Sequence, residues 1–210
     1  MKTITNKELA KKIKLHQKWL NDEEGGERLE LVGYDLSHSN LSHSNLSCSD
    51  LSGSDLSRSN LSCSDLSGSD LRGSDLSGSD LSRSDLRGSD LSRSNLSCSD
   101  LRNSSLRNSN LSGSNLSGSD LRNSDLSYSN LSYSNLSGSN LDYGCLPLWC
   151  RSLNAHFDDR QIIQIVYHAV KAGLDSPNVS EAVKTELRKV AGLANRFHRV
   201  DECGRIEVGE

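Results

Sequence analysis

From Leu31 to Leu146 a leucine occupies every fifth position, 24 of them in a single phase, and the residues between are almost all polar. The residue two before the leucine is Ser at all 21 positions from Ser39 to Ser139. The residue immediately before it is Asp or Asn, with Glu30, Ser105 and Cys145 as the exceptions. A period of five fits neither the 3.6 residues of a helical turn nor the alternation of a long strand. Each unit is therefore expected to be a short extended segment followed by a turn, and the chain must coil.

The flanks carry a different pattern. Thr5 and Glu8 form a T-x-x-E capping box, followed by Leu9, Ile13, His16 and Leu20 on one helical face. A solenoid exposes unpaired strand edges at its ends, so residues 5–21 are expected to cap the first coil. Beyond the segment Cys145-Leu-Pro-Leu-Trp-Cys150, one helical pattern lies near 158–173. A second lies near 179–198, with Val183, Leu187, Val190, Ala194 and Phe197 on one face. These two are expected to pack as a hairpin. The chain divides into an N-terminal helical cap (1–26), the repeats (27–146) and a C-terminal helical cap (147–210).

The unit S-[D/N]-L-[S/R]-x closely resembles A-[D/N]-L-x-x, the repeat of the pentapeptide-repeat family, over about 116 residues. That resemblance implies an all-β fold, a right-handed quadrilateral β-helix. Four units would make one square coil, with the central Leu and the residue two before it pointing inward. Residues 20 apart would then stack, as in the column Leu31, Leu51, Leu71, Leu91, Leu111, Leu131, giving about 5.8 coils and a rod roughly 28 Å long. One departure from the family pattern carries a physical demand, because Ser stands where a small apolar residue is usual. A buried unpaired hydroxyl costs about 1–3 kcal/mol, so these hydroxyls are expected to bond backbone carbonyls of their own or the adjacent coil. The stretch from Leu146 into the tail (LPLWCRSLN, then DDRQ and YHAV) resembles a tail of some bacterial and phage pentapeptide-repeat proteins, and it brings no activity with it.

Composition adds limits. Hydrophobic residues make up 33% of the chain and aromatics 4%, lean for 210 residues unless a repeat organises them. The net charge is −4, divided as +1 on residues 1–30, −5 on the repeats and 0 on 147–210. No basic excess points to direct nucleic-acid binding. No run approaches the roughly 18 apolar residues of a membrane span, and the N-terminus has no apolar h-region. The expectation is a cytoplasmic protein with no membrane partner, its six cysteines free thiols in a reducing compartment.

The chemistry-bearing residues do not fall into a known catalytic pattern. His156, His168 and His198 with Cys145, Cys150 and Cys203 supply zinc-type ligands, but at spacings that match no zinc motif. His38, His43 and Cys48 fall on successive faces of the square, while His43 and Cys63 would share one. No nucleophile elbow, phosphate loop, H-E-x-x-H or dinucleotide fingerprint is present. No enzyme, cofactor or metal is expected. An unbroken serine column, Ser37 to Ser137, raises ice or lattice binding, against which its irregular neighbours His38, Arg58, Gly78 and Cys98 speak.

Charge is the most informative surface feature. Stacking would align Asp50, Asp70 and Asp90, where like-charged neighbours 4.8 Å apart in water cost about 0.9 kcal/mol each. Arg83, Arg102 and Arg122 would fall on one face and Arg87 and Arg107 on the next, a basic corner among acidic faces. These eight residues are the candidate interaction surface, read either as a solvated, salt-bridged exterior or as a docking face that Tyr128, Tyr133 and Tyr143 extend. The minimal function is a non-catalytic interaction scaffold, monomer or homodimer, for an unidentified protein partner. The resemblance also implies an alternative, since some members of the family bind DNA gyrase as mimics of duplex DNA. Eight arginines along the repeats and a net charge of only −5 speak against it.

Overall fold

A computed structural model describes residues 1–142, 144–146, 155–196 and 206. The chain forms two compact units, Met1–His156 and Phe157–Glu210. In the first, parallel bridges join residues 20 apart, from Glu30–Asp50 through Asp120–Asn140, so four five-residue units complete each coil. The leucines line the interior. Every fifth residue from Leu46 to Leu136 is wholly inaccessible to solvent, and burial of each leucine contributes about 1.5–3 kcal/mol.

One unit, Leu61 to Asp65, shows why the sequence repeats as it does. Leu61 N–H donates to the Asp80 carbonyl at 2.7 Å, Cys63 N–H to Ser82 at 2.9 Å, and Asp65 N–H back to Ser44 at 3.0 Å. Ser64 N–H closes a turn onto the Leu61 carbonyl at 3.2 Å. Only Ser62 N–H has no backbone partner, and Asn60 Oδ1 accepts it at 3.0 Å. The Asp or Asn before each leucine is therefore a turn-capping residue that satisfies the fifth amide of the next unit.

The residue two after each leucine forms the tip of this turn and takes a positive φ at every unit from Gly33 to Gly138. That sign, at the third residue of a turn closed by a carbonyl-to-amide bond, is the mark of a type II turn. Glycine adopts it freely, as Gly53 does at φ +61 with nothing near its missing Cβ. Arg83 (φ 58), Tyr128 (φ 61) and Tyr133 (φ 60) hold the same conformation with a full side chain.

The inward serines are buried from Ser49 to Ser139. From Ser54 onward each hydroxyl donates to the carbonyl of the leucine three residues earlier, as in Ser64 Oγ to Leu61 O at 2.6 Å and Ser84 Oγ to Leu81 O at 2.6 Å. The expected carbonyl bonds are found, within the coil rather than across to the next one. Ser49 is the exception among the described residues, its buried Oγ having no hydrogen-bond partner.

The N-terminal edge is covered by a strand and a helix. β1 (Lys2–Thr3) pairs in parallel with β2 (Tyr34–Asp35) on the first coil. This strand was not anticipated, since two residues are too few to show a pattern. α1 (Asn6–Leu20) starts at the Thr5–Glu8 capping box, with both reciprocal bonds formed. Its buried residues, Leu9 and His16, lie on the expected face. His16 Nδ1 accepts from Leu29 N–H at 3.1 Å, which leaves Nε2 protonated to donate to the Ser47 carbonyl at 3.0 Å. Gly26 lets the chain return against α1, because a Cβ there would sit 2.4 Å from Trp19 N.

The second unit is helical. α2 (Asp159–Asp175) begins at an Asp158–Gln161 capping box, and α3 (Glu181–Lys189) is capped by Ser180. The single helix expected over 179–198 is instead broken at Val190, and α4 (Ala191–Ala194) follows. The break lets Ala191 and Ala194, both fully buried, join Ile163, Tyr167, Val170 and Ile206 in the core. Val183 and Val190, expected on the buried face, are 50% and 42% exposed. Phe197 lies outside the described residues.

Candidate interaction surface

The arginines that follow a core leucine are anchored by their own turns. Arg72 bonds Asp70 through Nε at 2.8 Å and Nη2 at 2.5 Å. Arg87 bonds Asp85, Arg102 bonds Asp100 and Arg122 bonds Asp120 in the same way. In each pair Asp and Arg are two residues apart on one turn, so the turn-capping carboxylate also accepts the guanidinium fork. Hydrogen bonds from arginine hold the carboxyls of Asp70, Asp85 and Asp100 below the usual aspartate range. At Asp120 burial is the largest influence and acts upward, but the combined bonds of Arg122 outweigh it and the shift is again downward. Arg102 also reaches Asp120 at 3.7 Å, joining adjacent coils.

The basic corner read from the sequence is therefore largely neutralised. Of its five arginines, Arg87, Arg102 and Arg122 are paired. Arg83 stands at a turn tip and forms no ion pair among the described residues. Arg107 lies over the ring of Tyr128, with its guanidinium carbon 5.2 Å from the ring centre. Tyr128 and Tyr133 are 58% and 67% exposed; Tyr143 lies outside the described residues.

The aspartate column forms as expected, with bridges Asp50–Asp70 and Asp70–Asp90. Asp50 Oδ1 caps Ser52 N–H at 3.0 Å, and Asp90 Oδ1 caps Ser92 N–H at 2.9 Å while also accepting from Asn110 Nδ2 at 3.2 Å. Towards the C-terminal coils, asparagine replaces aspartate and its amide donates to the preceding coil. Asn95, Asn115 and Asn135 form one such ladder on Asp75, and Asn130 continues another through Asn110. Sequence reasoning missed this double use of the residue before leucine. The side-chain oxygen present at that position in every unit from Glu30 to Asn140 was the available signal.

Cys48, Cys63, Cys98 and Cys145 are exposed free thiols. Among the described residues no group of three metal-ligating side chains assembles. Cys150, Cys203 and His198 of the zinc-type set lie outside the described residues. No helix among the described residues is long and apolar enough to cross a membrane.

Comparison with solved structures returns other five-residue repeat proteins. One from the Arabidopsis thaliana thylakoid lumen is 33% identical over 45% of this chain and 66% of its own, with a TM-score of 0.45. The present chain thus spans a little under two thirds of that protein's length. HetL, a protein involved in heterocyst differentiation regulation from the cyanobacterium Nostoc, is 21% identical over 73% of this chain and 94% of its own, with a TM-score of 0.32. QnrB1, a plasmid-mediated fluoroquinolone resistance protein, is 17% identical over 67% of this chain and 87% of its own, with a TM-score of 0.33. The search of curated proteins found no match. The family model for pentapeptide repeats matches residues 35–73, 69–108 and 104–142, which together cover more than half of the chain. The chain belongs to the pentapeptide repeat family.

Proposed function

We propose that this protein is a non-catalytic scaffold whose turn tips bind a protein partner. The observation that carries this reading is the concentration of sequence variety at one repeat position. Leucine and serine fill the interior, Asp or Asn caps the turn, and only the tip ranges over Gly, His, Cys, Arg, Asn and Tyr. That position faces solvent on all four sides of the coil and takes a left-handed conformation that glycine enters most easily. Thirteen tips from His38 to Tyr133 nonetheless carry larger side chains. The exposed thiols suit a reducing compartment such as the cytoplasm. A photo-crosslinking residue placed at Gly78, Arg83, Tyr128 or Tyr133 tests the reading in the host cell. A discrete adduct from one face and not the others is expected, and adducts from no face would contradict it.

A second reading, occupation of a DNA-binding channel in gyrase, draws on the stacked carboxylates of Asp50, Asp70 and Asp90. The pairing of Asp70 with Arg72, and of Asp85, Asp100 and Asp120 with their arginines, weakens it by removing charge from the faces a duplex mimic needs. Inhibition of gyrase supercoiling near stoichiometric amounts, lost when Asp50, Asp70 and Asp90 are changed to Asn, would favour it over the scaffold.

A further inference from the structure

Five arginines stand directly after a core leucine: Arg72, Arg87, Arg102, Arg107 and Arg122. Four have an aspartate two residues earlier and are ion-paired to it. The fifth, Arg107, is preceded by Ser105. Between Asp35 and Asn140 that serine is the one capping position that is neither Asp nor Asn. With no carboxylate on its own turn, Arg107 forms no ion pair among the described residues and lies over Tyr128 instead. Tyr128 and Tyr133, on consecutive turn tips, are exposed and held out by a left-handed backbone at positions where nine other units place glycine. Tyrosine and arginine together are the residues most enriched at the energetic centres of protein interfaces.

Resting on the scaffold reading, we propose that Arg107 and Tyr128, with Tyr133 on the next turn, form the docking point for an acidic segment of the partner protein. A guanidinium stacked on an aromatic ring keeps its in-plane N–H groups available, and those groups match a carboxylate bidentately. The occupant is a protein carboxylate rather than a nucleic acid, because the surrounding repeats carry a net charge of −5, which repels a polyanion and tolerates a single local anion. Ser105 is the residue that releases Arg107 for this role. An aspartate there would capture the guanidinium, as Asp85 captures Arg87 one coil earlier.

The test selects phage-displayed random 12-residue peptides on the full chain and measures the best binder by fluorescence anisotropy. The variants are Ser105→Asp, Arg107→Ser, Tyr128→Gly and, as control, Arg87→Ser. Each substitution installs a residue that other units carry at the same repeat position, and thermal melts verify that each variant is folded. The expected result is enrichment of peptides containing Asp or Glu, with binding weakened at least about tenfold by the first three variants and less than about twofold by the control. Acidic peptides that bind Ser105→Asp and Tyr128→Gly as well as wild type would overturn the docking point while leaving a scaffold with another binding face. Enrichment of no peptide would count against both readings. Binding of a fluorescent 20-base-pair DNA duplex through Arg107 and Tyr128 would overturn the choice of partner.

Discussion

His16 Nε2 lies 3.0 Å from the Ser47 carbonyl, where the repeat register would place an amide of the preceding coil. From Gly33 to Asn123 each turn-tip amide donates to the carbonyl 19 residues on, as Cys48 does to Ser67 at 2.9 Å. By that register Ser47 would be served by residue 28. Instead the imidazole stands in the ladder between Leu29 N–H and Ser47 C=O, while Arg28 Nε turns to the Cys48 carbonyl at 2.6 Å. A single side chain thus joins α1 to the first coil.

Acid should loosen that join. Burial pushes the His16 imidazole below its usual value near 6.5, the Ser47 carbonyl opposes this, and the nearby charge of Arg28 adds to it. The unfolded chain then binds the proton more readily than the folded one, so the contribution is complete above about pH 6.5 and is lost as pH falls below it. The ion-paired aspartates, shifted downward, lose their contribution only below about pH 4. Melts from pH 7.5 to 5.0 should show a decline in wild type. His16→Ala should be less stable by about 1–3 kcal/mol at pH 7.5, with a flatter profile. Equal slopes in both proteins would refute the assignment.

Two serine substitutions should differ in sign. Ser49→Ala removes a buried hydroxyl without a partner and should leave stability unchanged or raise it. Ser64→Ala removes a bonded one and should cost about 0.5–1.5 kcal/mol, as read by denaturant titration.

Turn capping and core packing should separate by magnitude. Asp65→Ala exposes the Ser67 amide, now capped at 2.9 Å, and should cost about 1 kcal/mol, while Asp65→Asn should cost little. Leu66→Ala, in the same unit and fully buried, should cost about 2–5 kcal/mol.

Turn tips should respond to backbone strain alone. Gly53→Ala meets no atom within 4 Å yet must keep φ near +61, so a loss of about 1–2 kcal/mol is expected. Arg83→Gly, which relieves the same strain, should be neutral or slightly stabilising by calorimetry.

The coil was legible because one apolar residue per five, in unbroken phase, leaves few ways to bury leucine. The capping box at Thr5 and the helical face through His16 were legible for the same reason, as local patterns with a fixed period. The role of His16 as a rung was not, since it depends on Leu29 and Ser47, 13 and 31 residues away. On the surface, a salt-bridged exterior and a docking face were both open, and column position alone did not show which arginines pair on their own turns. Arg102 shares a face with Arg122 but spends its guanidinium on Asp100, two residues back on its own turn. The break at Val190 was hidden by a continuous apolar stripe, which continued across two helices packed differently.

The most direct test of the scaffold reading is a chain in which Arg58, Arg83, Arg93, Tyr128 and Tyr133 are all replaced by glycine, with a photo-crosslinking residue kept at Gly78, at Gly88 or at Gly113. The fold should persist, with a melting temperature equal to or above that of wild type, because each tip already has a positive φ. Partner adducts formed by the wild-type chain with crosslinkers at these glycine positions should disappear. Adducts that persist on the glycine-tipped chain would contradict the account and move the binding role away from the turn tips.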